Sequence, residues 1–253
     1  MNDNAEVFQI DKLSLKRTAW HDLPPVIIHA AQSGVKKHPL YPRAKEGDAA
    51  AAEDLVLDCI AEEGVEILHQ SCSSSSVLLP VHALESEGMN VIPRVFAHIL
   101  AKQLNLSVGR GVIQSNTVAH TSASGYHRLA FPALFEGEIH EERYFLVDDF
   151  VGQGGTLANL KGFIESNGGL VCGATTLTGR ADSAQISLTR QTLAALRSKH
   201  GGQLEEWWTD TFGYGLEYLT ESEARYLTRV ESFVAIRERL ADARRAGNRR
   251  PFG

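Results

Sequence analysis

A chain of 253 residues with 43% hydrophobic content is long enough to bury one large core, or one core with an appendage. Its formal net charge of −6 argues against a dedicated DNA-binding surface, which is usually basic, so nucleic acid is not an expected partner. No run of about 18 apolar residues occurs, so no membrane span is expected, and the polar, acidic N-terminus has no signal-peptide pattern.

Residues 1–45 carry no strong period and are punctuated by Pro24, Pro25, Pro39 and Pro42, which predicts a loosely structured lead-in packed on the main domain. A helix is expected from about Gly47 to Ala61, with Asp48 near its start and Leu55, Val56, Cys59 and Ile60 on one face. Val65–His69 reads as a strand, and Val77–Val81 as a second one whose continuous apolar run predicts burial on both faces. Val91 to Leu104 is a strongly amphipathic helix with Pro93 in its first turn, where proline is tolerated.

Val108 to Gln114 reads as a short strand. Asn116 to Tyr126, rich in Ser, Thr, Ala and Gly, reads as a long loop of the kind that serves as a lid. Tyr144 to Asp148 is the central strand, Thr156 to Asn167 a helix closed by Gly168-Gly169, and Leu170 to Leu177 the next strand. Beyond Asp182 helical patterns follow near 184–199, 203–211, 220–229 and 231–246. The division is residues 1–61 as lead-in and helix, 62–180 as core, and 181–253 as a mostly helical C-terminal region. Strands alternating with helices imply an α/β fold with a parallel sheet, whose ligands bind beyond the carboxyl ends of the strands.

Cys59, Cys72 and Cys172 have neither metal-ligand spacing nor an even count, which fits a reduced, cytoplasmic setting. Cys72, ahead of four serines, is either an inert thiol or a reactive loop nucleophile, with no His/Asn signature for the second. The basic tail Arg244, Arg245, Arg249, Arg250 reads as a solvated terminus rather than a nucleic-acid contact. Trp207-Trp208 either closes a core or lines a stacking pocket. No histidine pair has zinc-binding spacing, and neither the G-x-G-x-x-G nor the G-x-x-x-x-G-K-[ST] fingerprint follows the central strand.

The most informative run is Tyr144 to Thr156. A hydrophobic strand ends in Asp148 and Asp149, a turn carries Gly152, Gln153, Gly154 and Gly155, and a helix then begins with Thr156. The strand positions the acids, the glycines let backbone N–H groups approach a ligand, and the helix N-terminus favours an anion. Two acids beside an anion cradle point to a ligand with a phosphate at one end and a diol or metal at the other.

Phe145–Asp149 followed by Gly154-Gly155-Thr156 resembles the phosphoribosyl pyrophosphate (PRPP) signature of type I phosphoribosyltransferases. Val77–His82, then Gly88-Met89-Asn90 opening a helix, is similar to the ComF-type subgroup. Gln114 and Ala133–Phe135 sit roughly where that subgroup has comparable residues. The resemblance covers about residues 62–180. It implies a Rossmann-type sheet flanked by helices, with the remainder of the chain as a substrate-selecting hood; a generic Rossmann-like fold is the alternative.

The resemblance implies that Asp148 and Asp149 are the catalytic pair that holds the ribose hydroxyls. Gly152, Gln153, Gly154, Gly155 and Thr156 would bind the 5′-phosphate. His82, Ala83, Gly88 and Asn90 would lie in the pyrophosphate loop, and His120, His127 and Arg128 would belong to the lid. Mg²⁺ would be carried by PRPP with no direct protein ligand assigned, and a small-molecule nitrogen acceptor, base-like, would complete a glycosyl transfer in nucleotide metabolism. A homodimer is common in this family.

Two departures stand out. Gly152-Gln153 replaces the usual Thr-Thr, and Glu85 and Glu87 put carboxylates in the loop assigned to pyrophosphate, where they would repel it unless turned to solvent or holding the metal. These departures keep a second reading alongside the enzyme: a PRPP- or nucleotide-binding regulatory module of the same fold.

Overall fold

The computed structural model describes residues 13, 15–20, 23–85, 88–116 and 124–248. In chain order the first half comprises β1 (Ile27–Ala31), α1 (Gln32–Lys36), α2 (Tyr41–Lys45), α3 (Ala49–Cys59), α4 (Glu62–Ser71), β2 (Ser76–Pro80), β3 (Leu84–Glu85), β4 (Gly88–Met89), α5 (Ile92–Leu104), β5 (Ser107–Val108) and β6 (Val112–Gln114). The second half comprises α6 (Gly125–Ala130), β7 (Phe135–Gly137), β8 (Arg143–Val151), α7 (Gly155–Ser166), β9 (Leu170–Gly179), α8 (Arg190–Phe212), α9 (Glu221–Thr228) and α10 (Phe233–Asn248).

Five strands pair in the order β1-β9-β8-β2-β5, all parallel. From β2 the chain crosses through α5 to β5 on one side, and later returns as β8 on the other. That reversal makes the space between the carboxyl ends of β2 and β8 a topological switch point, where sheets of this kind open a crevice. β2 is buried along its whole length, as its unbroken apolar run predicts. In β8 successive side chains face opposite layers. Phe145 and Val147 enter the core shared with α3 and α5, while Tyr144 and Leu146 enter the core under α7. The same alternation sends Asp148 and Asp149, at the end of the strand, in different directions.

Three segments differ from the sequence expectation. Val65–His69 lies inside α4 rather than in a strand. Its alternating apolar residues do not alternate in burial: Leu68 is fully buried but Ile67 is 43% exposed, and Glu62 and Glu63 in the first turn suit a helix start. The stretch expected to be a loose lead-in supplies β1, which pairs with β9 from Ile27↔Thr175 to Ala31↔Gly179. Proline punctuation before and after it hides a five-residue strand. The expected strand over Val108–Gln114 is divided between β5 in the main sheet and β6, which pairs antiparallel with β7.

The C-terminal region is helical, as read from its periodicity. Its two expected segments near 184–199 and 203–211 are one helix, α8, broken in geometry at Gly201 (φ 68°, ψ −175°). Trp208 is fully buried among Phe212, Leu216, Leu227 and Leu240, so the tryptophan pair closes a core. That core also takes in Tyr126 and Leu129 of α6. The N-terminal segment threads between this layer and α7. Leu13 and Leu15 donate backbone N–H groups to the carbonyls of Thr211 and Phe212, and Lys161 of α7 donates to Thr18 Oγ1 (2.9 Å) and to the Ala19 carbonyl (2.8 Å). Among the described residues no helix is long and apolar enough to cross a membrane.

Candidate functional site

A cleft of about 600 Å³ lies at the switch point, bordered by Val81 and Ala83 after β2, by Asp148, Asp149 and Phe150 of β8, and by Gly152, Gln153 and Thr156 of the following turn and helix. Its volume falls within the range of small-ligand sites. The Asp148–Thr156 run reaches it as one continuous piece of chain, which is why a local motif could find it.

The two acids are buried, 7% and 9% exposed, and their partners differ. Asp149 faces α2: Lys45 Nζ lies 3.1 Å from its Oδ2, and Asn90 bonds to it as well. The Lys45 ammonium and these hydrogen bonds hold Asp149 below the usual carboxylate range despite its burial. Asp148 feels the Lys45 charge more weakly. Burial and the neighbouring Asp149 charge push its pKa well up, although its Oδ1 accepts the Asp149 backbone N–H at 2.8 Å. Of this coupled pair Asp149 is the more readily ionised and Asp148 the more ready to hold a proton, so the two carboxyls differ in what they accept and donate.

Beyond the acids the chain turns through Gly154 (φ +80°) into α7. That left-handed backbone is strained for a residue with a Cβ. No side chain caps the helix and no acid occupies its first turn. The N–H groups of that turn and the positive end of the helix dipole suit an anion, although the Glu223 carboxylate already packs against Gly155. Thr156 adds a hydroxyl at the cleft wall. Arg128 of α6 crosses the turn: a Cβ added at Gly152 would sit 3.1 Å from its guanidinium. Burial and the nearby Arg180 lower the Arg128 pKa, though an arginine stays charged at any working pH.

Lys36 and Arg180 complete the cationic rim. Lys36 Nζ stands 4.6 Å above the Phe150 ring, and partial burial with Arg128 nearby lowers its pKa. The cleft thus gathers Lys36, Lys45, Arg128 and Arg180 against two acids, one of which burial and its neighbour's charge push toward the neutral form. In a chain of net charge −6 this is a local reversal of sign that favours a polyanionic ligand.

The other expected site residues are placed as follows. Ala83 and Asn90 border the cleft, Asn90 being 5% exposed. Gly88 opens β4 and pairs with Glu85. His82 borders a separate groove with Arg94, His98 and Arg110. His127 stacks its ring on Phe131 at 4.8 Å. His120 and Glu87 lie outside the described residues, as does most of the expected lid, residues 117–123. Gln114 borders the cleft and donates to the Asn116 carbonyl at 2.6 Å.

Sequence reasoning missed Gln32, Lys36, Tyr41, Lys45, Phe150 and Arg180 on the cleft wall. Arg180 was within reach, because it directly follows β9 and so stands at a strand carboxyl end. Lys36 and Lys45 were not, because the strand that places them had not been recognised. For divalent metal, no group of three or more His, Cys, Asp or Glu side chains with metal-binding geometry occurs among the described residues, and Asp149 is already engaged by Lys45.

No family model matches the chain. It is similar to a protein of Escherichia coli named Protein TraN, with 39% identity over 231 residues, covering 90% of this chain and 52% of that protein. It is also similar to an uncharacterized protein of Haemophilus influenzae, with 35% identity over 164 residues, covering 64% of this chain and 37% of the relative. The chain thus spans about half the length, or less, of the curated relatives it matches. Among solved structures, an orotate phosphoribosyltransferase from Aeropyrum pernix aligns with 24% identity and a TM-score of 0.33, over 56% of this chain and 67% of that one.

Proposed function

We propose that this chain binds PRPP and is a phosphoribosyltransferase, moving ribose 5-phosphate to a nitrogen acceptor of nucleobase type. The observation that carries the reading is the joint presence, in one cationic cleft of about 600 Å³, of a buried acid pair and an uncapped helix start. The acid pair suits a vicinal diol: Asp149, held toward the ionised form, accepts from one ribose hydroxyl, and Asp148 hydrogen-bonds the other. The amides of Gly154 to Leu157, the Thr156 hydroxyl and Arg128 suit the 5′-phosphate. Lys36 and Arg180 suit the remaining negative charge of the pyrophosphate.

In the transfer, the bond between ribose C1 and the pyrophosphate oxygen breaks and its electron pair leaves with pyrophosphate. A nitrogen of the acceptor forms the new bond to C1. The chain's own contribution is to fix the ribose by the acid pair, fix its phosphate by the amide cradle, and offset the charge that builds on the leaving group. Mg²⁺ carried by PRPP would supply further charge neutralisation on the pyrophosphate. The three cysteines are free thiols, which supports a reduced, cytoplasmic setting.

The test is pyrophosphate release from PRPP with a panel of bases, beside direct PRPP binding. Base-dependent release supports the transferase. Tight binding with no release for any base supports the regulatory module instead. The double variant Asp148→Asn/Asp149→Asn is expected to lose PRPP binding under both, and unchanged binding would sink the site itself.

A further inference from the structure

The turn that carries the cradle does not stand alone. Thr220, the N-cap of α9, is 1% exposed and donates its hydroxyl to the Gln153 carbonyl at 2.6 Å. The same hydroxyl accepts the Glu223 backbone N–H at 3.1 Å. Glu223 Oε2 accepts the Thr220 N–H at 2.9 Å, which closes a capping box. Glu223 also forms a two-pronged ion pair with Arg17, at 2.6 and 3.0 Å. Arg17 Nε in turn donates to Asn159 Oδ1 of α7 at 2.7 Å, and its guanidinium lies 4.5 Å from the centre of the Tyr214 ring.

This assembly lies directly against the turn. A Cβ added at Gly155 would fall 2.6 Å from Glu223 Oε1, and one at Gly154 would fall 3.5 Å from Thr220 Cγ2. The Gln153–Gly155 backbone is thereby held from outside its own stretch of chain: by a helix from the C-terminal layer, and through Arg17 by the N-terminal segment. Gly154 is at φ +80° with no side-chain cap on α7, so local bonding does little to fix this turn. The bond from Thr220 to the Gln153 carbonyl fixes the peptide immediately before it.

We propose that Thr220 and Glu223, backed by Arg17, are positioning residues for the phosphate cradle: they set the backbone of Gln153–Gly155 so that the amides of the first α7 turn converge on an anion. The inference rests on the phosphate-binding reading above. It makes the C-terminal helical layer part of the binding apparatus, although that layer contributes few atoms to the cleft wall. Ligand affinity becomes coupled to the packing of α9, so a partner that shifts α9 would alter phosphate binding at a distance.

The test uses Thr220→Val, which keeps shape and removes the hydroxyl, and Thr220→Ser, which keeps the hydroxyl. Backbone amide exchange in the free protein reads the turn without any ligand, and titration with ribose 5-phosphate reads the cradle. Thr220→Val is expected to speed exchange at residues 153–157 by about tenfold, with exchange in α5 unchanged, and to weaken ribose 5-phosphate by about tenfold. Thr220→Ser is expected to stay near wild type in both. Wild-type exchange and affinity in Thr220→Val overturn the inference. Equal losses in both variants overturn it as well, because the effect would then not follow the hydroxyl. If Thr220→Val fails to fold, amide exchange in Glu223→Gln decides on the same criterion. A wild-type protein that ignores ribose 5-phosphate sinks the phosphate-binding reading, while the exchange result still judges the positioning role.

Discussion

The two sides of the cleft are built in opposite ways. The side bearing Asp148 to Thr156 is one continuous strand–turn–helix, backed by the buried Arg17–Glu223 pair and the α9 capping box. The facing side is assembled from single residues far apart in the chain: Lys36 on α1, Lys45 on α2, Asn90 before α5 and Arg180 after β9. Buried and mutually bonded, the first side is stiff. The second depends on exposed cations such as Lys36 and Arg180, which act through charge more than through fixed geometry. A ligand with a phosphate would find its anchor on the first side and its charge balance on the second.

The largest expected effect breaks the backing of the stiff side. Arg17→Met leaves the Glu223 carboxylate buried without its cation, at a cost of about 3–5 kcal/mol. Urea unfolding should show the loss, and a change within 1 kcal/mol, roughly the ordinary range for surface substitutions, would mean that the pair is not part of a stable core.

Next come the two acids, which should differ in sign. Asp149→Asn breaks its buried ion pair with Lys45 and is expected to destabilise, again by about 3–5 kcal/mol. Asp148 is the reverse case. Its folded pKa lies above the unfolded one, so the folded state keeps a proton that the unfolded state releases above about pH 4. Its burial therefore costs more stability as pH rises from there to the folded pKa. Asp148→Asn removes that cost, so the variant should gain on wild type by about 1.4 kcal/mol per pH unit across that window. Unfolding curves from pH 5 to 8 decide the matter, and parallel losses in both variants would end the distinction between the acids.

His29 probes the sheet beneath the second side. It sits in β1, accepts the Ala61 N–H at Nδ1 (3.2 Å) and meets Thr175 Oγ1 at 3.1 Å. Burial lowers its pKa to about 4, so it stays neutral in the fold. The unfolded chain takes up a proton below about pH 6.5, and stability falls from there down to the folded pKa, by about 3 kcal/mol in total. His29→Gln should flatten that part of the profile. The smallest effect belongs to Lys36→Gln on the exposed rim: a change in stability within about 0.5 kcal/mol, with ligand binding weakened mainly at low salt.

Legibility followed contiguity. The buried strand before the acids, the turn and the start of α7 were all readable, because their chemistry is carried by adjacent residues. Arg128 was reachable as a basic residue beside the Ser/Thr-rich loop. Lys45 was not, since nothing within α2 distinguishes a buried, paired lysine from a surface one. Val65–His69 misled because alternation over five residues fits a strand as well as one face of a short helix, and only packing against β1 separates them.

The sequence by itself determined the α/β alternation, the central strand and the strand–acid–glycine–helix unit, because short-range periodicity and backbone stereochemistry act within a few residues. Only the tertiary structure decided which cations face the acids, which acid keeps its proton, and that α9 and Arg17 hold the cradle from behind. Those outcomes depend on burial and on distances between residues more than a hundred positions apart, such as Lys45 and Asp149 or Arg17 and Glu223. No local pattern encodes such distances. They arise when the sheet brings its strand ends together and excludes water from the groups between them.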